Sequence, residues 1–456
     1  MLGYLVVGAT LASPSRQAFA GLWVFSSPAS GSDVQSVADR AADGDTLLFM
    51  PGRHEIQLEL TDKSIVLVGQ GGPGQVTLTR TAEEVIFKPG MIRITGATGG
   101  GNSFRASGIR FEGGFSHGRA QAAAIWAWEV STVVIEDCQF INNRAVPSSM
   151  AGSNFGGAVR VWGASTIRLQ GCLFKGNSSE ASFHHDSSGG AAQLSGQFIE
   201  VRHCEFEANR AEGYFCGGGG GALIALGNFV TIADCNFFRN SASDGAALGA
   251  NSNITIERCS FQENPGGGSL FGPCGVQEGS SVNISGVASI YQSTFIDNRS
   301  NAPALRLLGA GPHHVETSAF VGNGVSGGGS PAVRLGGSAA ANVTFARNLV
   351  AFNHGPGIAH AITTEGAASC NIIWANNPDF IQGSDWRGAH DNQASDPLFC
   401  EGAVNDLLVA NNSPCLPGGS GHPESCGVIG SVTAGCAVVS IRPSSWSGIK
   451  LRFGST

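Results

Sequence analysis

One phrase recurs along this chain and limits what it can become: Cys-x-Phe-x-x-Asn, a stretch of variable length, then Gly-Gly-Ala-aliphatic, written most fully across 204–223. The first half returns as Cys138/Phe140/Asn143, Cys172/Phe174/Asn177, Cys204/Phe206/Asn209, Cys235/Phe237/Asn240 and Cys259/Phe261/Asn264. Serine then leads, in Ser293/Phe295/Asn298 and Ser318/Phe320/Asn323, and two degenerate copies follow, Asn348/Val350/Asn353 and Asn371/Ile373/Asn376. The second half returns at 156–159, 189–192 and 220–223, and weakened as Asp244-Gly245-Ala246-Ala247. Successive asparagines lie 23 to 34 residues apart, the period of a repeat architecture. Short runs such as Val133-Val134-Ile135 and Phe229-Val230-Thr231-Ile232 stand between Gly and Asn turns, where a helical repeat would need long stretches of 3.6 period. Each repeat is therefore one coil of β-structure, and coils stacked as parallel strands lie about 4.8 Å apart. An inward Asn can hand its amide hydrogen bond to the Asn of the next coil, sparing a buried polar group a cost of about 1–3 kcal/mol. An inward Phe column supplies the packing, and length variation falls in the loops, where it leaves the stack undisturbed.

This pattern resembles a right-handed parallel β-helix of the pectate-lyase-like superfamily, and the paired Phe-x-x-Asn and Gly-Gly-Ala-aliphatic motifs are similar to the repeats of chlamydial polymorphic outer membrane proteins. The likeness covers roughly 30–430. It implies an all-β, single-stranded β-solenoid, and it leaves function open, because the fold serves lyases, hydrolases, esterases, epimerases and adhesins.

A solenoid grows by adding coils, so 456 residues read as one continuous domain. The 67 glycines sit at fixed repeat positions and mark turns. A formal charge of -8 with only 26 Lys plus Arg argues against nucleic acid or an anionic membrane as partner. No apolar run reaches transmembrane length. Residues 1–20, with an apolar run at Leu5–Leu11 and Ala18-Phe19-Ala20 at the end, read as a signal peptide and imply a secreted or surface-associated protein. Residues 21–70 read as an N-terminal helical cap and first coil, with a short helix expected at Ala38–Ala42. Coils follow over 71–395, a Cys-rich C-terminal cap over 396–436, and a tail over 437–456.

Five of the twelve cysteines share one inward column, Cys138, Cys172, Cys204, Cys235 and Cys259, whose parallel Cβ directions suit stacked thiols better than disulfides. Near the end of the chain the expected pairs are Cys400 with Cys415 and Cys426 with Cys436. Cys216 and Cys274 form a further candidate pair, and Cys370 is left over. Cys-x-x-Cys zinc spacing is absent, so no structural metal is expected.

Catalysis on this fold needs acids, bases or calcium ligands facing outward from neighbouring coils. Ser116-His117-Gly118 and Asn353-His354-Gly355 lack the paired aspartates of a polygalacturonase. Arg299 to Arg306 misses the spacing of a pectate lyase, and Asp379-Phe380-Ile381-Gln382-Gly383 stands without the other motifs of a pectin methylesterase. No cofactor is expected, and calcium would enter only for a lyase.

Two constellations remain. The loops Arg144–Phe155, Ser178–Ser188, Arg210–Gly219 and Pro265–Cys274 should leave the same corner of different coils, forming an edge that carries Phe155, Phe183, His184, His185, Asp186, Tyr214, Phe215 and Phe271. His184-His185-Asp186 has the chemistry of a metal or acid/base site and equally that of a solvated loop. Strand alternation in Ala124–Trp128 and Ala158–Trp162 turns Trp126, Trp128, Arg160 and Trp162 outward, with Trp128 over Trp162 and Gln193 nearby. Such a row is a platform for sugar rings, unless loops fold over it. The expectation is a secreted or surface β-helix that binds polysaccharide or cell-surface glycan, with a lyase or glycosidase, or a structural spacer, as alternatives.

Overall fold

The computed structural model describes residues 20–437, apart from 81–89, 98–99, 118–120, 148–153, 182–186, 214–217, 243, 267–279, 310, 326, 328, 337–341, 361–366 and 401–405. The chain divides into two compact units, Met1–Asn251 with Gly268–Gln277, and Ser252–Gly267 with Glu278–Thr456.

In the first unit the coils repeat their strands in parallel register. One row runs Leu22–Phe25, Asp45–Phe49, Ile65–Gly69, Ser103–Ser107 and Thr132–Glu136, and continues in the second halves of Val159–Gln170, Ala192–Arg202 and Leu223–Ala233. A second row runs from Gly52–Glu55 to Asn236–Phe238, and a short third row joins Phe115–His117, Arg144–Val146, Ser178–Glu180 and Arg210–Glu212. The second unit repeats the first two rows, from Asn253–Glu257 to Ala368–Ser369 and from Ser260–Gln262 to Ile372–Trp374.

The interior columns follow the repeat. Phe111, Phe140, Phe174, Phe206 and Phe237 stack at 4.7–5.0 Å in the first unit, and Phe261, Phe295 and Phe320 stack at 4.6 and 4.9 Å in the second. Beside them the asparagines form hydrogen-bonded ladders, Asn143–Asn177–Asn209–Asn240 and Asn264–Asn298–Asn323–Asn353–Asn376. Most of their side-chain amides also donate to a Phe carbonyl of the preceding coil, as Asn177 does to Phe140 at 2.9 Å, and Asn376 donates to the Val350 carbonyl. The last rung is Asp379, whose carboxylate accepts from the backbone and side chain of Asn376 and pairs with Arg387, so the apparent esterase motif is a ladder terminus.

The cysteine column is buried and holds no disulfide, as expected of stacked thiols. Its sulfurs donate to backbone carbonyls, Cys235 to Val201 and Ala233 for example, and burial pushes the Cys138 and Cys204 thiols well up. Ser293, Ser318, Asn348, Asn371 and Asn392 continue the position in the second unit, each accepting the backbone N–H of the residue below it. The turns that lead into both columns hold left-handed residues, and most are not glycine: Asp137, His203, Asp234 and Arg347 before the Cys/Ser/Asn column, Asn142, Ala208, Arg239 and Asp297 before the Asn ladder. Gly171 and Gly176 take the same two places in one coil. A left-handed residue with a β-carbon costs about 1–2 kcal/mol, a strain held by the hydrogen bonds of the column residue that follows.

The helix spans Gly31–Arg40, earlier than the Ala38–Ala42 expected. Ser30 caps it by accepting the Asp33 N–H, Asp33 favours the first turn and Arg40 the last, and Ala41 is already extended. Val34, Val37 and Ala38 are buried, and Gln35 and Lys63 fasten the helix to the adjoining coil.

Both C-terminal cysteine pairings expected from the sequence are corrected. The disulfides are Cys370–Cys426 and Cys400–Cys436, and Cys415 is free, with burial pushing its thiol up to about 12. The cause is the path of the segment. It runs back along the flank of the second unit, burying Leu407, Cys415, Cys426 and Ile429 against Ile296, Val321, Leu349 and Ala351, so that Cys426 meets a cysteine of a coil. The parallel pairing of Leu408–Ala410 with Thr433–Cys436 brings Cys436 to Cys400. The core of this unit meets Trp386 instead, which packs on Phe345 and His360 at 5.8 and 4.2 Å.

Candidate functional site: an outward aromatic face on the first unit

The alternation of Ile125–Trp128 buries Ile125 and Ala127 and turns Trp126 and Trp128 outward, and Val159 and Val161 are buried likewise around Arg160. Parallel register stacks these positions coil on coil. One column reads Glu59, Arg93, Trp126, Arg160, Gln193, and its neighbour reads Thr61, Thr95, Trp128, Trp162. Trp128 lies against Trp162 at 6.0 Å and 14°, and Trp126 lies beside Trp128 at 6.0 Å and 30°. The Arg93 guanidinium sits 4.9 Å over the ring of Trp126.

Arg160 points outward as expected but is not an open contact, being only 5% exposed. Phe155 at the end of its loop covers it at 4.9 Å, Trp162 flanks it at 5.6 Å, and its Nε donates to Gln193 at 3.0 Å. Burial lowers its pKa to about 10, so it remains cationic at neutral pH and braces Trp162 from below. The loop edge and the tryptophan face, separate in the sequence reading, meet at this Phe155–Arg160 contact. Phe155 is fixed by a bridge to Ser188, whose hydroxyl accepts from Gln193.

The third row of strands brings Arg144, Ser178 and Arg210 to one corner, with Arg144 paired to Glu180 and Arg210 to Glu212. Phe183, His184, His185, Asp186, Tyr214, Phe215, Phe271 and the Cys216/Cys274 pair lie outside the described residues. Arg93 was not singled out from the sequence, although Ile92-Arg93-Ile94-Thr95 alternates as Ile125–Trp128 does.

Trp162, 36% exposed, ends the aromatic stack: the following coil sets Ser195 opposite Trp162 and Gly163, where the register shifts. The face therefore offers water an indole supported from below, with a guanidinium fixed at each side of the stack. Among the described residues, Cys370, Asp391 and Cys426 are close enough together to hold a metal, but the two sulfurs are joined in a disulfide.

A family model described as right handed beta helix region matches residues 179–313. No curated protein matches the chain. Together with the stacked parallel strands, the match makes this a right-handed parallel β-helix repeat protein. No helix among the described residues is long and apolar enough to cross a membrane.

Proposed function

We propose that this β-helix protein is a secreted or surface-associated binder of polysaccharide that engages its ligand on the Trp126/Trp128/Trp162 face. The observation that carries the reading is the end of the stack, where Trp162 keeps an open indole surface while Trp128 and Arg160 hold it in place. Sugars present apolar C–H faces that pack on aromatic rings, and a ring already immobilised loses little entropy on binding. The apolar run Leu5–Leu11 before Ala18-Phe19-Ala20 supports export.

Purified protein, with and without calcium, is incubated with plant, algal and microbial polysaccharides while unsaturated products, reducing ends and retained glycan are recorded together. Retention without cleavage is expected, and Trp128→Ala should weaken it about tenfold, a loss of about 1.4 kcal/mol. Unchanged retention by Trp128→Ala removes the tryptophan face from the proposal. Cleavage replaces binding with a lyase or glycosidase, and neither result leaves a spacer without ligand.

A further inference from the structure

We infer that the bend in the three long strands next to Trp162 is a subsite for a neutral, extended saccharide chain, with about one sugar ring per coil. The inference rests on the reading above and extends it to a ligand class and a second place of contact. Val159–Gln170, Ala192–Arg202 and Leu223–Ala233 run unbroken through a bend at Gly163, Gly196 and Gly227. A Cβ on Gly196 or Gly227 would point inward, 2.8 or 2.9 Å from a carbonyl oxygen of the preceding coil and 3.1 Å from a core isoleucine. At Gly196 and Gly227 the outer surface is therefore bare backbone. It floors an open trough of about 470 Å³ that crosses four coils and ends at Asn251, a volume within the range of ligand sites.

Two kinds of group meet here, rings at the margin of the trough and amides that line it. Phe198 and Phe229, register partners that follow the bend, are 52% and 58% exposed and stack on each other at 5.6 Å and 11°. Large rings left this open on a strand surface mark a contact surface. Gln197, Asn228 and Asn251 supply amides, and among the described residues no charged side chain lines the trough. Aromatic rings beside uncharged donors and acceptors match the C–H faces and hydroxyls of a neutral pyranose, and they give an anionic sugar no counter-charge. Coils about 4.8 Å apart repeat at close to the length of one pyranose in an extended chain, so a chain lying along the stack meets the same set of groups at each step. Trp162, bordering Gly163, joins the trough to the tryptophan face.

The test is titration calorimetry of the full chain with neutral gluco-, manno- and xylo-oligosaccharides from dimer to hexamer, with an oligogalacturonate hexamer as the charged comparison. At least one neutral series should bind, with affinity climbing with chain length to about four rings, the number of coils crossed, and then levelling. The Phe198→Ala/Phe229→Ala double variant, with far-UV circular dichroism and melting temperature unchanged, should bind about tenfold more weakly. Neutral binding that is unaltered in the double variant overturns the subsite, and the tryptophan reading then stands or falls separately with Trp128→Ala. A loss in the double variant with none in Trp128→Ala supports the subsite and removes the tryptophan face. Binding of the charged hexamer alone overturns the neutral class, and binding of nothing overturns the subsite.

Discussion

Asn209 donates its side-chain amide to the Phe174 carbonyl and to Asn240 Oδ1, and its own Oδ1 accepts from the backbone and side chain of Asn177. Asn209→Ala therefore orphans several fully buried groups at once, and should cost about 3 kcal/mol or more, read as a lower urea midpoint. The cysteine column behaves differently, because its thiols fill space and make only weak bonds. Native protein treated with iodoacetamide should remain unmodified at Cys138, Cys172, Cys204, Cys235, Cys259 and Cys415, and all should react in denaturant. His54 gives the fold a pH dependence. It is fully buried, its Nε2 donates to the Met50 carbonyl and its Nδ1 accepts the Ala29 N–H, so the ring is neutral, and burial holds its pKa below the usual value. The unfolded chain takes up the proton first as pH falls below about 6.5, so stability is complete above that value and declines beneath it. The melting temperature should drop between pH 7 and pH 5, and the drop should be smaller in His54→Gln.

At the scale of elements, the second row of strands changes character where the C-terminal segment lies on it. In the first unit its outward positions include Lys175, Glu205 and Glu207, whereas in the second they include Ile296, Val321 and Ala351, covered by Leu407, Cys415 and Ile429. That switch from polar to apolar was available in the sequence as a sign that something packs there. Cys370→Ser with Cys426→Ser removes the tie and should cost about 2–4 kcal/mol. The exposed band should also bind a hydrophobic dye well below the melting temperature of the parent. Trp386 is buried against Phe345 and His360, so Trp386→Ala should be more damaging, by about 3–5 kcal/mol in denaturant unfolding. The disulfides themselves were not legible, because Cys370, Cys400, Cys415, Cys426 and Cys436 are five cysteines that allow several pairings, and only the path of the segment selects among them.

For the molecule as a whole, repetition should make the coil a removable part. Ser178 and Arg210 are register partners, so deleting 178–209 joins Asn177 to Arg210 at equivalent places in successive coils. The shortened chain should keep the parent's far-UV circular dichroism and a cooperative melt. It should lose affinity for neutral saccharides, because it lacks Phe198 and one step of the trough.

The sequence by itself determined the repeat, its β-structure, the inward Phe, Asn and Cys columns and the outward pairing of Trp128 over Trp162. These follow from a period of two along each strand and from stacking like on like, and both are local rules. The tertiary structure alone decided that Phe155 covers Arg160, that Cys426 meets Cys370, that the C-terminal segment lies along a flank, and that Ala164, Gly196 and Gly227 come into register in a trough next to Phe198 and Phe229. Each of these depends on where loops and segments distant in sequence come to rest, which strand periodicity does not encode. Their positions are set by which apolar surfaces remain to be buried once the coils have stacked.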